Sequence, residues 1–367
     1  MQLLARLFRV FSSSSPPSST RIEPHNIKRI AWIRLDHIGD VVMSLPSLQL
    51  LREQFPDVQI DVVVRPACAP LFADLTVCNQ VFTYDSPRFP TRGRGAGIFR
   101  TGQLIRKLRR QNYDVAIEPR GDDIARFLAW SSRVPIRIGP NRVFYEAEDA
   151  PNFRFLMTHV APISDTPVHA VVANVRVLQP LLPNRVLEVP AFHFPVSAQR
   201  VTRVQTVLRQ QKTARDFVVL HLCSNDENRN WTTEKWAKIA DFLVTKLDFD
   251  VVLSGIARDR ETHRKIIAQV ENSNRIHDFA GRISLSDLAA FFAQSQLLVT
   301  VDTGPMHIAA FANTPIVALF LPDLAPRHAP FGQENSVVVP PQTEIEYSIS
   351  DISVAQVIQA IARRLEM

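Results

Sequence analysis

The chain is poor in the features that would commit it to several common architectures. Cysteine occurs three times in 367 residues, as Cys68, Cys78 and Cys223, with no CxxC pair and no cysteine/histidine spacing for zinc. That excludes a disulfide scaffold, suits a reducing compartment, and leaves each thiol as a small buried hydrophobe. No stretch approaches the roughly 18 apolar residues of a membrane-spanning helix, so a polytopic membrane protein is excluded. Neither a Gly-x-Gly-x-x-Gly fingerprint at a strand-to-helix junction nor a Walker loop is present. The glycine-spaced RGRGAG of residues 92–97 has no strand leading into it. Acidic residues are missing altogether from Arg88 to Arg110, where Arg88, Arg92, Arg94, Arg100, Arg106, Lys107, Arg109 and Arg110 accumulate.

What is present describes a globular chain. Hydrophobic residues make up 46% and charged residues 21%, and the length suits about two domains. The net charge of +6 is unevenly spread: residues 1–210 carry 27 Lys/Arg against 17 Asp/Glu (+10), residues 211–367 carry 15 against 19 (−4). A basic first half can meet an anionic partner, with a solvated loop and helix face as the plain alternative. Nucleic acid is not the expected partner, because the arginine run lacks the aromatic interleaving of a stacking platform.

Residues 1–26 read as an amphipathic or flexible extension. MQLLARLFRVF places apolar residues at helical spacing among arginines, and SSSSPPSST follows as a linker. A short interfacial helix at a membrane surface is preferred over an organellar targeting segment, and disorder stays open beside both. From Lys28 apolar runs alternate with helical patterns, the signature of parallel α/β structure. KRIAWIRL is a strand, VVMSLPSLQLLREQF a helix and VQIDVVV a strand, with further strands at 81–84, 115–118 and 136–138 and helices at 101–110 and 124–131. Prolines cluster at 180, 183, 190 and 195. A second series follows, with strands at 217–222, 250–254, 297–301 and 316–320, helices at 233–246, 258–269, 285–294 and 305–313, and a short segment at 276–279. The expected domains are therefore 27–190, an interdomain region 191–212, 213–349, and a closing amphipathic helix in 350–367.

Ligands of open parallel sheets collect beyond the carboxyl ends of the strands. Three loops qualify. Arg34-Leu35-Asp36-His37-Ile38-Gly39-Asp40 offers Asp40 at the head of a helix as a base or as a helix cap, with Asp36 and His37 as alternative acid/base groups. Ser224 to Trp231 combines Ser224, Asn225 and Arg229, a guanidinium that can hold a diphosphate or be neutralised by Asp226 or Glu227. Asp302-Thr303-Gly304-Pro305-Met306-His307 opens a helix whose amides and dipole favour a phosphate, or which simply is well capped. Gly255 marks a place for close backbone approach, and Asp259 a carboxylate for ribose hydroxyls or an exposed helix acid.

IRLDHIGDVVMSLPSLQLLREQFPDVQIDVVV, the Arg229-Asn230-Trp231 loop, AGRISLSDLAAFFAQSQLLV and VDTGPMHIAAFANTPIVALF together resemble glycosyltransferase family 9, which includes the ADP-heptose:lipopolysaccharide heptosyltransferases. The resemblance spans about residues 28–330. It implies an α/β fold of two Rossmann-like doubly wound domains facing across a cleft (GT-B architecture), with acceptor on the first domain and nucleotide sugar on the second. It implies an inverting, metal-independent transferase without a cofactor, moving a sugar from a nucleotide-diphosphate donor, ADP-heptose in the heptosyltransferases, to a lipopolysaccharide core or related cell-envelope glycan. By that resemblance Asp40 is the catalytic base. Thr303, Gly304, Ser224 and Arg229 hold the diphosphate, Asp302 and His307 position donor sugar and phosphate, and Asp259 stands where the family commonly has a glutamate on the ribose. Arg229 replaces a frequent lysine. Where lipid A-proximal members carry a DxQG-type stretch, this chain has Ile117-Glu118-Pro119-Arg120-Gly121-Asp122-Asp123. Arg92, Arg94 and Arg120 are the expected contacts to an anionic glycolipid or oligosaccharide, with pairing to Asp122 or Asp123 as the alternative for Arg120. The expected location is cytoplasmic, with peripheral contact to the inner membrane face. A family member using another nucleotide sugar, or a catalytically silent protein of the same fold, are the competing readings.

Overall fold

The computed structural model describes residues 22–87, 97–141, 153–162, 168–213, 216–224, 226–341 and 348–366. Two compact units divide the chain between Phe192 and His193. In the first, β1 (Arg29–Arg34) runs through the described loop 35–37 into α1 (Ile38–Gln54), followed by β2 (Gln59–Val64), β3 (Gln80–Thr83), α2 (Ile98–Arg110), β4 (Val115–Ile117), α3 (Asp123–Ser131), β5 (Ile136–Pro140), β6 (His159–Ala161) and α4 (Ala170–Arg176). The six strands are parallel, in the order β3-β2-β1-β4-β5-β6. Continuous apolar runs such as IAWI and VVV form its central strands because helices cover both faces, so period-2 alternation is unnecessary. On one face Leu104 and Leu108 of α2 and Ile124, Ala125 and Leu128 of α3 pack on Ala31, Ile33 and Ala116.

The second unit repeats this plan. It comprises α5 (Ala198–Gln210), β7 (Phe217–His221), α6 (Thr233–Leu247), β8 (Asp250–Ser254), α7 (Arg260–Ile267), β9 (Ile276–Asp278), α8 (Leu288–Phe292), β10 (Leu297–Val301), α9 (Gly304–Phe311), β11 (Ile316–Leu319), α10 (Ala325–His328), β12 (Val337–Val338) and α11 (Val354–Arg364). Its parallel sheet has the order β12-β11-β10-β7-β8-β9. Counted from its own first strand, this is the same 3-2-1-4-5-6 arrangement as in the first unit, the doubly wound dinucleotide-fold order. The expected fold class, two Rossmann-like doubly wound α/β domains, is what the chain forms. Trp231 and Trp236 meet edge to face at 5.2 Å in its core, and the indole N–H of Trp231 donates to the Ile352 carbonyl at 3.1 Å, tying the start of α6 to the turn before α11.

Several boundaries differ from the sequence expectation. Ile22 is buried, 3% exposed, because the turn Pro24–Asn26 leads it back to the unit, so ordered packing starts within the segment read as an extension. Residues 1–21, with the amphipathic stretch expected there, lie outside the described residues. Helix α5 occupies most of the expected interdomain region. It belongs to the second unit, where Arg200 and Arg203 both pair with Asp287, at 3.0 and 3.2 Å. The expected helix 258–269 is a 3-10 turn (Ala257–Asp259) followed by α7, and β6, α4, α5 and β12 were not foreseen. The three cysteines are free. Burial pushes the Cys68 thiol up to about 12 and those of Cys78 and Cys223 to about 11, which makes them unreactive. No helix among the described residues is long and apolar enough to cross a membrane.

Candidate functional site

A doubly wound sheet reverses strand order beside its first strand, so the loops after strands one and four diverge and leave a crevice at the carboxyl edge. Both units place sequence-selected residues at that point, while Gly255 and Asp259 follow β8 instead. In the first, the loop after β1 carries Asp36 and Asp40 and the loop after β4 carries Glu118, Arg120 and Asp122, although 84 residues separate Asp36 from Arg120.

Arg34, the last residue of β1, organises this crevice. Its guanidinium is 1% exposed and is gripped from three directions: Nε donates to Asp36 Oδ1 at 2.9 Å, Nη1 to Asn174 Oδ1 of α4 at 2.8 Å, and Nη2 lies 3.5 Å from Asp40 Oδ1. The Asn174 amide in turn donates to the Met43 carbonyl of α1 at 3.2 Å. Asp36 is consumed by this framework. Its second oxygen lies 3.4 Å from Arg120 Nε, its side chain is 2% exposed, and burial raises its carboxyl above the usual range although Arg34 and Arg120 pull the other way. Asp40 has a different position. It sits in the first turn of α1 with its side chain 19% exposed, in the positive field of the helix N-terminus. The N-cap position is taken by exposed His37 and Asp40 is the third residue of the helix, so Asp40 is not the N-cap residue that spacing alone allowed. Of the three acid/base candidates in this loop, Asp40 is the carboxylate that is both reachable and oriented.

Glu118 and Arg126 form a buried pair at 3.2 Å, the guanidinium donating also to the Pro140 carbonyl at 2.6 Å. Gly121, at φ +97°, turns the loop so that its N–H and that of Arg120 reach the Glu118 carboxylate. Side chains other than glycine are strained in that conformation. Asp122 caps α3, accepting from the Ala125 N–H at 2.8 Å, and lies 3.6 Å from Arg120 Nη1. Burial, and then the Glu118 charge, push its carboxyl up to about 7. A carboxyl whose folded value lies above its unfolded value binds its proton more tightly when folded. The stability it contributes is full below about pH 4 and is lost as pH rises to about 7. Asp122→Asn keeps a capping oxygen and removes the titration. The variant is expected to be about 1–2 kcal/mol more stable than the parent at pH 8, and no more stable at pH 4. Urea midpoints at both pH values check this, and an equal parent-to-variant difference at the two would show that Asp122 does not titrate there.

In the second unit the loop after β7 meets the loop after β10. Arg229 Nη1 donates to Asp302 Oδ2 at 2.6 Å across 73 residues of sequence, while its Nε lies 3.2 Å from Asp226 Oδ2. The structure thus supplies the Asp226 neutralisation considered from sequence, together with a second carboxylate that spacing could not reveal. Arg229 remains 32% exposed in its side chain. Ser224 is braced by Asn230, whose Oδ1 accepts the Ser224 N–H at 2.7 Å, and Ser224 Oγ accepts the Asp226 N–H at 3.3 Å. Thr303 is the N-cap residue of α9 in extended conformation and its side chain caps nothing, Gly304 is the first helical residue, and His307 is buried in the second half of that turn. Amide donors and helix dipole are therefore presented beside a partly exposed guanidinium, a combination that attracts phosphate.

Gly255 is required for a reason other than ring approach. A Cβ there would lie 2.6 Å from Asp259 Oδ2. That carboxylate accepts the Ile256 N–H at 2.8 Å, and the residue is 9% exposed. Asp259 thus braces the loop after β8 through one carboxylate oxygen and is not an exposed helix acid. At the ends of β7 and β8, His221 Nδ1 and Ser254 Oγ are 2.9 Å apart, and burial holds the imidazole near 4 and so neutral. Asn174 and His221 were missed by sequence reasoning; a polar residue at the end of an apolar strand was the one signal, and it pointed only to His221. Asn225, Arg92 and Arg94 lie outside the described residues. Among the described residues no group of three or more His, Cys, Asp or Glu side chains is placed to hold a metal ion.

The chain is also similar to known proteins. Residues 101–350 match glycosyltransferase family 9 (heptosyltransferase). The chain is 24% identical over 283 residues to lipopolysaccharide heptosyltransferase 3 of Escherichia coli, covering 77% of this chain and 80% of that protein. Among solved structures it is similar to a family 9 glycosyltransferase from Veillonella parvula, with TM-score 0.77 and 23% identity over 97% of this chain and 99% of that one. It is also similar to E. coli ADP-heptose LPS heptosyltransferase II, with TM-score 0.73 and 21% identity over 92% and 98%.

Proposed function

The chain belongs to glycosyltransferase family 9, and from that premise we propose that it transfers a heptose from ADP-heptose to a hydroxyl of a lipopolysaccharide core. It is a glycosyltransferase; the sugar, nucleotide and acceptor are the proposal. The observation that carries it is the contrast within one loop between Asp36, spent on two arginines, and Asp40, left accessible at a helix N-terminus.

In this reading the acceptor hydroxyl approaches Asp40. As its oxygen bonds to the anomeric carbon, Asp40 takes the proton, the bond from that carbon to the diphosphate oxygen breaks, and ADP departs with its electron pair. Attack opposite the leaving group inverts the anomeric centre. Arg229 and the amides at the start of α9, with Thr303 and Gly304, stabilise the charge that grows on the diphosphate, so that no metal is needed. Asp302 orients Arg229 and, with His307, lies beside the donor sugar, while Ser224 contributes to the phosphate loop. Arg120, already facing Asp36, is the one expected acceptor contact among the described residues and suits an anionic core sugar. The acceptor is a glycolipid, so the reaction runs at a membrane surface facing the cytoplasm.

Isothermal titration with ADP, UDP, GDP and dTDP tests the donor, followed by assay of ADP-heptose on heptose-deficient lipopolysaccharide. ADP is expected to bind at least about ten-fold more tightly than the other three, a difference of about 1.4 kcal/mol, and heptose to appear on the acceptor. Preference for another nucleotide would discard the heptose donor and keep the mechanism. Binding without turnover on any acceptor would support the silent reading.

A further inference from the structure

We propose that the outer face of α2 docks the protein on an anionic bilayer surface. The helix is held to its sheet through Leu104 and Leu108, while its first two residues are exposed: Ile98 by 95% and Phe99 by 76%. Among the described residues, nothing lies within 4 Å of a Cβ added to Gly97 or Gly102, which flank them on the helix. Arg100, Arg106, Lys107 and Arg110 are exposed along the same helix, which carries no acidic residue. Arg109 is turned aside, its Nε donating to the Ser131 carbonyl at 2.8 Å. At 100° per residue, Phe99, Arg106 and Arg110 fall on one stripe opposite the buried leucines. Two large exposed apolar side chains at the head of a helix whose outer stripe holds cations and no acid match the interfacial pattern in which apolar groups enter the acyl boundary and cations meet anionic headgroups. Nucleic acid would use the cations but leave Ile98 and Phe99 without a role.

The direction of the helix gives the surface a purpose. In a parallel sheet the helices begin at the carboxyl edge of the strands, so the exposed start of α2 lies on the edge of the first unit where α1 begins with Asp40. The Tyr84 hydroxyl, just past β3, is 2.9 Å from Thr101 Oγ1 and fixes that start to the edge. Docking there would bring the base to the level at which the sugar of a lipid-anchored acceptor leaves the membrane. This purpose rests on the acceptor proposed above; the binding itself does not.

Sedimentation of the full chain with vesicles of phosphatidylethanolamine and phosphatidylglycerol, and with phosphatidylcholine vesicles alone, tests the proposal without donor or turnover. The parent is expected to favour the anionic vesicles and to be released by salt. Ile98→Ser/Phe99→Ser and Arg106→Glu/Arg110→Glu are each expected to weaken that binding about ten-fold or more. Both should keep transfer to a water-soluble, deacylated acceptor within about two-fold. Variants that partition like the parent would overturn the proposal, as would equal, salt-insensitive binding to phosphatidylcholine. A parallel loss of transfer to the soluble acceptor would assign the face to sugar recognition and overturn it too. RNA binding that survives the Ile98/Phe99 change, without vesicle binding, would assign the cations to nucleic acid. If the parent transfers no heptose, the reaction proposed above fails while the vesicle result stands.

Discussion

Asp40→Asn is expected to reduce turnover by about 10³-fold, the range lost when a positioned general base is removed, with ADP affinity and thermal midpoint close to the parent's. The reason the fold survives is local. Arg34 keeps its closer contacts to Asp36 and Asn174, at 2.9 and 2.8 Å, and loses only the 3.5 Å approach to Asp40. Asp36→Asn should behave in the opposite way. It leaves Arg34 and Arg120 short of their common carboxylate in a buried setting, where unbalancing charge costs about 3–5 kcal/mol, so the midpoint falls together with activity. Steady-state kinetics, calorimetric ADP titration and denaturant unfolding on the two variants separate these roles. Turnover by Asp40→Asn within ten-fold of the parent would remove Asp40 from the chemistry. Full activity in Asp40→Asn with a stable, inactive Asp36→Asn would transfer the role to Asp36.

Arg229→Ala is expected to weaken ADP binding about 10- to 100-fold, the value of one or two charge-assisted hydrogen bonds to a diphosphate. Asp302 enters the same account through its 2.6 Å contact with Arg229. If it acts by aiming the guanidinium, Asp302→Ala should weaken ADP by a smaller factor, and the double variant should bind no worse than Arg229→Ala alone, a non-additivity that marks residues acting through one another. Additive losses measured by titration would mean that Asp302 touches the nucleotide independently. Arg229→Lys should recover most of the affinity but not all, because the ammonium keeps the charge and loses the fork that spans Asp302 and Asp226.

How much of this was legible varies with the physical range of the signal. Long apolar strands such as IAWIR and LLVTV and the helix opened by Gly-Pro-Met-His announced themselves, because burial on both sheet faces and helix capping act over neighbouring residues. Short elements did not. β6 has three residues and includes His159, β12 has two, and α4 is a seven-residue helix whose AVVANVR reads as readily as a strand. α5 was lost in a proline-flanked stretch although Val204 and Leu208 are buried at helical spacing. The candidate residues divide in the same manner. Asp40, Arg229 and the loop from Asp302 to Gly304 stand out because they lie at strand-to-helix junctions. Asn174 stands 140 residues from the guanidinium that it holds, and no local pattern could announce it.

Sequence alone settled the alternation of strands and helices and the basic first half and acidic second half, and it pointed to the loops at the carboxyl edges, since each follows from periodicity, composition or the tendency of parallel sheets to bind at that edge. Tertiary structure decided which of two carboxylates four residues apart is spent and which is available. It also tied the Asp259 carboxylate to the Ile256 N–H and joined Arg229 to Asp302. Those outcomes depend on burial and on partners brought together by the reversal of strand order, and charges a few ångströms apart in space leave no trace in spacing along the chain.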